Sequence, residues 1–216
     1  MRILVINPNS NQAVTDGMEE ALAPLVISGG PEIECVTLEE GPFGVETQAD
    51  VDGVALPLRQ LVVERGDADA YVIACYSDPG LHVCREATDK PVFGIQECGV
   101  LSALSQGDRF GVIALSTNSI KRHLRYLRQM GVTERLANER PVELSVEESH
   151  AGDGAFDRLC EVGGELRDID RAETIILGCA GMASHRAPLA RHLGIPVVDP
   201  VQAATAMAMT AVLLKE

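Results

Sequence analysis

Tryptophan is absent from this 216-residue chain and aromatic residues make up only 3%, so the flat side chains on which nucleic-acid bases stack are scarce. Positive charge is also short. Eighteen Lys and Arg face 32 Asp and Glu, a net charge of −14 that repels phosphate backbones and anionic lipid. No apolar run approaches the roughly 18 residues that span a bilayer. No CxxC pair occurs, and six cysteines (Cys35, Cys75, Cys84, Cys98, Cys160 and Cys179) are too sparse for a disulfide scaffold or a finger-type zinc site. HExxH, GxSxG and Walker patterns are missing too. The only lysines, Lys90, Lys121 and Lys215, occupy no Schiff-base setting, which disfavours pyridoxal chemistry. The opening MRILVINPNS reads as a strand rather than a signal peptide. These gaps predict a cytosolic protein without metal or cofactor, acting on a small molecule and on neither nucleic acid nor membrane.

What is present is alternation. Short β-branched runs are expected as strands at Ile3–Ile6, Ile33–Leu38, Tyr71–Ala74, Val92–Ile95, Phe110–Leu115, Val142–Val146, Thr174–Leu177 and Val197–Val198. Helical patterns separate them, near 10–26, 51–65, 80–88, 98–106, 118–130, 155–168, 185–193 and 200–214. Continuous apolar runs such as ILVI and TIIL belong to parallel strands buried on both faces. The prediction is an α/β fold of mostly parallel sheets, with ligands beyond the carboxyl ends of strands.

The two halves repeat a pattern at those ends. Cys75 follows one strand and leads through Tyr76-Ser77-Asp78-Pro79-Gly80 to a helix; Cys179 follows another and leads through Ala180-Gly181-Met182 to a helix, 104 residues later. An x-Pro-Val strand then follows in each half, at Lys90-Pro91-Val92 and Ile195-Pro196-Val197. Such duplication predicts two similar lobes in a pseudo-twofold relation with the site in the cleft between them. One would comprise 1–96 plus 199–216 and carry Cys75; the other would comprise 97–198 and carry Cys179. A thiol at a strand end entering a helix is expected to ionise more readily, because helix N–H groups favour thiolate. Two opposed thiols suit stereochemical inversion, in which one takes a proton from one face of a carbon and the other returns one to the opposite face.

These residues resemble the aspartate/glutamate/hydantoin racemase superfamily, most closely its hydantoin and allantoin racemase branch. The resemblance rests on four pieces in order: Ile6-Asn7-Pro8-Asn9-Ser10, Gly41-Pro42-Phe43-Gly44-Val45-Glu46-Thr47, Cys75-Tyr76-Ser77-Asp78-Pro79-Gly80-Leu81 and Leu177-Gly178-Cys179-Ala180-Gly181-Met182. It implies a cofactor-independent acid/base pair in Cys75 and Cys179, a two-lobed fold and a homo-oligomer. Amino-acid racemases of the superfamily usually follow their cysteines with Asn-Thr and Thr-His. Tyr76-Ser77 and Ala180-Gly181 here leave less to grip a charged amino acid and more room for a neutral ring, a 5-substituted hydantoin or allantoin. Rival readings remain: a maleate-type cis–trans isomerase with a covalent cysteine or another superfamily enzyme on a small carbonyl substrate, and a non-catalytic metabolite-binding protein.

Other candidates carry two readings each. Asn7, Asn9 and Ser10 either hydrogen-bond ring carbonyls and N–H groups or serve as turn and cap residues. Backbone N–H groups near Ser77 could stabilise an enolate, whereas Asp78 fits an N-cap ahead of Pro79. Gly178 and Gly181 admit close approach by a ligand. Glu46 and Thr47 close the cleft or are solvated, and Thr117 is a ligand contact by its family position. Arg122 and Arg125 suggest a solvated helix face, with Arg122 in reach of an anionic substituent. His82, His123, His150, His185 and His192 are scattered and are assigned to surface or helix positions.

Overall fold

The computed structural model describes residues 1–151 and 154–215, the side chains of 150 and 151 excepted. His150 therefore lies outside the described side chains. The first half contains strand β1 (Arg2–Asn7), helix α1 (Gln12–Leu22), β2 (Glu32–Thr37), α2 (Gln48–Gly53), α3 (Ala55–Glu64), β3 (Ala70–Ile73), α4 (Leu81–Glu86), β4 (Val92–Gly94) and α5 (Ile95–Leu104). The second contains β5 (Phe110–Ala114), α6 (Thr117–Met130), β6 (Leu136–Pro141), α7 (Val146–Ala151), α8 (Ala155–Asp168), β7 (Thr174–Gly178), a 3-10 turn over Ala180–His185, α9 (Arg186–Leu193), β8 (Val197–Val198) and α10 (Pro200–Leu213).

All pairings are parallel and fall into two four-stranded sheets of identical order, β2-β1-β3-β4 and β6-β5-β7-β8. The predicted two-lobed α/β class is thus present, with the duplication visible in topology. Strand alternation explains the layering. On β1, Ile3 and Val5 face a large core that runs through both sheets, while Leu4 and Ile6 face a second cluster with Leu58, Val62 and Leu81. Each of these side chains is essentially inaccessible to water, and burying one contributes roughly 1.5–3 kcal/mol.

The helices that follow the last strand of each sheet change sides. Helix α5 lies against β5, β7 and β8 as well as β4, while α10 returns to β1, β3 and β4. The two helices also pack closely on each other. Gly99 permits this approach, since a Cβ there would stand 3.0 Å from Pro200 and 3.3 Å from Ile176.

Three local expectations are corrected. The strand expected at Val142–Val146 lies instead at Leu136–Pro141, where only β5 pairs with it. LANERP is polar because an edge strand needs one covered flank, whereas VELSV imitates strand alternation just before α7 begins. The stretch 51–65 divides into α2 and α3 at Val54. Finally, Asp78-Pro79 does not start α4: its N-cap is Gly80 at φ 66°, with no side-chain cap. Among the described residues, no helix is long and apolar enough to cross a membrane.

Candidate active site

Cys75 and Cys179 arrive at one cavity because equivalent strands end beside it. The β1–β3 ladder stops at Ile6 and Ile73, and the β5–β7 ladder stops at Ala114 and Gly178. Beyond those ends both cysteines line a recess of about 420 Å³ of atom-free space, mouth included. Val14, Val45, Leu115 and Val146 make its apolar walls, and Asn9, Ser77, Ser119, Arg122 and His123 bring polar groups. Cys75 is half-buried and Cys179 buried; neither is in a disulfide.

The thiols are held differently. Cys179 caps the 3-10 turn, its Sγ accepting from Gly181 N–H at 3.3 Å. Ser149 Oγ of α7 lies 3.8 Å from that sulfur while donating to the Val146 carbonyl at 2.8 Å. Cys75 has the Ser77 N–H and, farther off, the Arg122 charge. These donors do not produce the expected easier ionisation. Burial pushes the Cys75 thiol up to about 12, with charges on Cys179 and Asp78 adding to it, against the pull of Ser77 N–H and Arg122. Burial also raises Cys179, opposed by the Gly181 and Ser149 donors. Desolvation outweighs the local dipoles at both sulfurs.

Of the predicted site residues, Asn9, Tyr76, Ser77, Gly178 and Ala180 line the recess with the two thiols. Asn9 Oδ1 accepts from Asn7 Nδ2 and Asn11 N–H, both at 3.0 Å, which leaves Nδ2 as its available donor. Asn7 is fully buried and spends its amide on Asn9, Asn11 and Thr15, so it fixes the loop from behind. Ser10 donates its N–H to the Pro42 carbonyl. Glu46 reaches across from the first half, accepting from Val146 N–H at the start of α7. Thr47 closes a capping box with Asp50 on α2. Thr117 gives its hydroxyl to Glu143 at 2.6 Å, and Ser119 from the same helix lines the recess instead.

Asp78 turns away from the cavity. Its backbone is left-handed at φ 43°, uncommon for a residue with a Cβ. The buried carboxylate accepts from Gln96 and Glu97 N–H at 2.8 and 2.9 Å, capping α5 rather than its own helix. Burial lifts its pKa to about 7 despite those two donors. The glycines also serve the frame: a Cβ on Gly178 would lie 2.5 Å from the Ile113 carbonyl, and one on Gly181 would lie 3.0 Å from Ser149 Oγ.

Sequence reasoning missed His123 in the wall and Ser149 buried against Cys179. Ser149 belongs to α7, which was not foreseen. His123 is buried rather than superficial, its Nδ1 2.5 Å from Glu139 Oε1 and its ring edge-on to Tyr76. The Ser-Ile-Lys-Arg-His run carried that signal only as helical spacing, which puts Ser119, Arg122 and His123 on one face. Among the described residues, no group of three or more His, Cys, Asp or Glu is placed to hold a metal ion.

Comparison with known proteins agrees with this layout. A family model described as Asp/Glu/Hydantoin racemase matches residues 3–208. The chain is 39% identical to a hydantoin racemase of Paenarthrobacter aurescens, over 99% of this chain and 92% of that protein. A hydantoin racemase of Pseudomonas sp. (strain NS671) is 37% identical, over 98% and 86%. Among solved structures, an allantoin racemase from Klebsiella pneumoniae superposes with a TM-score of 0.93 at 31% identity, over 99% of this chain and 88% of that one.

Proposed function

The chain belongs to the Asp/Glu/hydantoin racemase family, and from that membership we propose that it is an isomerase inverting the ring carbon of a 5-substituted hydantoin or allantoin through Cys75 and Cys179. The observation that carries this reading is the meeting of both thiols in the wall of one apolar recess. A thiolate on one side takes the C5 proton, and the electron pair spreads into the adjacent carbonyl. The thiol on the other side then protonates the opposite face, so one thiolate and one thiol have exchanged roles. The ring carbon lies between a carbonyl and a ureido nitrogen, and its proton is acidic enough for this without an electron sink. Asn9 Nδ2 is the open donor for the developing enolate oxygen.

The electrostatics disfavour a doubly ionised pair. Charge on Cys179 raises Cys75, so the doubly ionised state is suppressed and the mixed thiol–thiolate state is the reactive one. Walls of Val14, Val45, Leu115 and Val146 keep water from reprotonating the carbanion indiscriminately. In this reading Cys75 belongs to a lobe of 1–96 plus 199–216 and Cys179 to a lobe of 97–198, a division supported by where α5 and α10 pack.

The test is deuterium incorporation at C5 in D2O, followed by NMR from each pure enantiomer. Racemisation is expected to vanish in Cys75→Ala and in Cys179→Ala, each variant also losing exchange from one hand, a different hand in each. Undiminished racemisation in either variant defeats the two-thiol mechanism, and a mass adduct trapped on Cys75 during turnover would assign covalent isomerase chemistry instead.

A further inference from the structure

Arg122 is the one cation in the wall of the thiol recess among the described residues, and it also lines two outer recesses bounded by Gln48 and Arg125. In a chain of net charge −14 most buried or half-buried guanidinium groups could find acids. Arg2, Arg65 and Arg140 each hold two or more carboxylates. Arg122 holds none. Its Nε is shielded from water and has no hydrogen-bond partner, and Nη1 reaches only the Asn118 carbonyl of its own helix at 3.5 Å.

The neighbouring acids are bonded elsewhere, and Asp50 and Glu139 reach Arg122 only through space, with no ion pair. Asp50 accepts from Glu46 and Thr47 N–H, Glu139 from His123, and Glu46 from Val146 N–H. Arg125, the like charge on the same helix, is turned to Gln48. A desolvated guanidinium with an open fork facing a ligand cavity needs an acceptor, and a carboxylate satisfies both its geometry and its charge.

We propose that Arg122 is the specificity residue of this site and that the preferred substrates carry a carboxylate on the C5 arm, as in carboxymethyl- and carboxyethyl-hydantoins. This rests on the racemase reading and extends it to a substrate class. A carboxylate would complete the charge that a neutral arm leaves unmatched. Allantoin, whose ureido arm is an uncharged acceptor, ranks below it.

The experiment measures C5 deuterium exchange for 5-(2-carboxyethyl)hydantoin, its carboxamide analogue and allantoin, in the wild type, Arg122→Gln and Arg122→Lys, each checked for an unchanged melting profile. The wild-type kcat/KM ratio of carboxylate to carboxamide is expected to be about tenfold or more, the scale of one charge-assisted pair. In Arg122→Gln that ratio falls to about one through KM, and Arg122→Lys retains part of it. A wild-type ratio near one, or a ratio that survives Arg122→Gln, overturns the assignment. So does an equal fall in kcat on all three substrates with the carboxylate-to-carboxamide ratio unchanged, which would leave Arg122 acting only through its charge on the Cys75 thiol. Exchange on no hydantoin at all strikes the racemase reading itself, whereas exchange on the carboxamide and allantoin with no carboxylate preference strikes only Arg122.

Discussion

The two halves meet the same structural need in different ways. Helix α5 follows β4 and α10 follows β8, and each begins with backbone N–H groups buried between the sheets. In the second half Asp199 is its own N-cap, accepting from Val201 and Gln202 N–H at 2.7 and 3.3 Å. In the first half Gly94 occupies the corresponding place with no side chain to offer. Asp78, from the loop after Cys75, delivers its carboxylate to Gln96 and Glu97 N–H, the same two positions along the helix. The borrowed cap ties the Cys75 loop to α5. The Cys179 loop, covered by α1 and α7, needs no such tie.

This contrast can be broken most forcefully at Gly94. A Cβ there would stand 2.3–2.6 Å from the Asp78 carboxylate, so Gly94→Ala is expected to destabilise by about 1–3 kcal/mol in urea unfolding. The double variant Gly94→Asp with Asp78→Ala installs the arrangement of the second half in the first and should recover most of that loss. Failure of that recovery would mean the two caps are not equivalent.

A smaller effect lies in the pH dependence. Burial lifts Asp78 to about 7 and Asp199 to about 6, above the ordinary carboxylate value near 3.9. Both folded-state values are raised, so the folded protein favours the protonated forms. Their contribution is full below about pH 4 and is lost as pH climbs through 6 to 7. Urea midpoints compared at pH 5 and 8 should therefore differ less in Asp78→Asn and Asp199→Asn than in the wild type, the larger flattening belonging to Asp78. Equal slopes in all three proteins would refute it.

The smallest effect concerns the thiols. Ser149→Ala removes the hydroxyl near Cys179 and leaves Cys75 its own donors. Exchange should fall by less than about fivefold, the ceiling set by one hydrogen bond of about 1 kcal/mol because the hydroxyl proton is shared with the Val146 carbonyl, for the enantiomer that Cys179 deprotonates, and hardly at all for the other. A symmetric loss would indicate damage to the cavity as a whole.

Much of this molecule was legible along the chain because its determinants are local. ILVI and TIIL announce buried parallel strands by composition alone, and each cysteine is marked by its place between a strand and a turn. What escaped depends on distant partners. β6 is polar, and only the presence of β5 beside it makes it a strand. Asp78 stands beside Pro79 as if to cap α4, yet the helix it serves begins 17 residues later. Arg122 and Arg125 look alike on a helix rich in charge, and the packing of α6 over the recess decides which one faces the thiols.

The crossing of α5 and α10 sets a condition on how this chain can exist. A cut between residues 104 and 110 would give two fragments, each holding a helix whose seat lies in the other. Neither fragment owns a finished interior, so the halves must mature in each other's company, and whatever the cleft does is the work of a mutual embrace that no single module can perform.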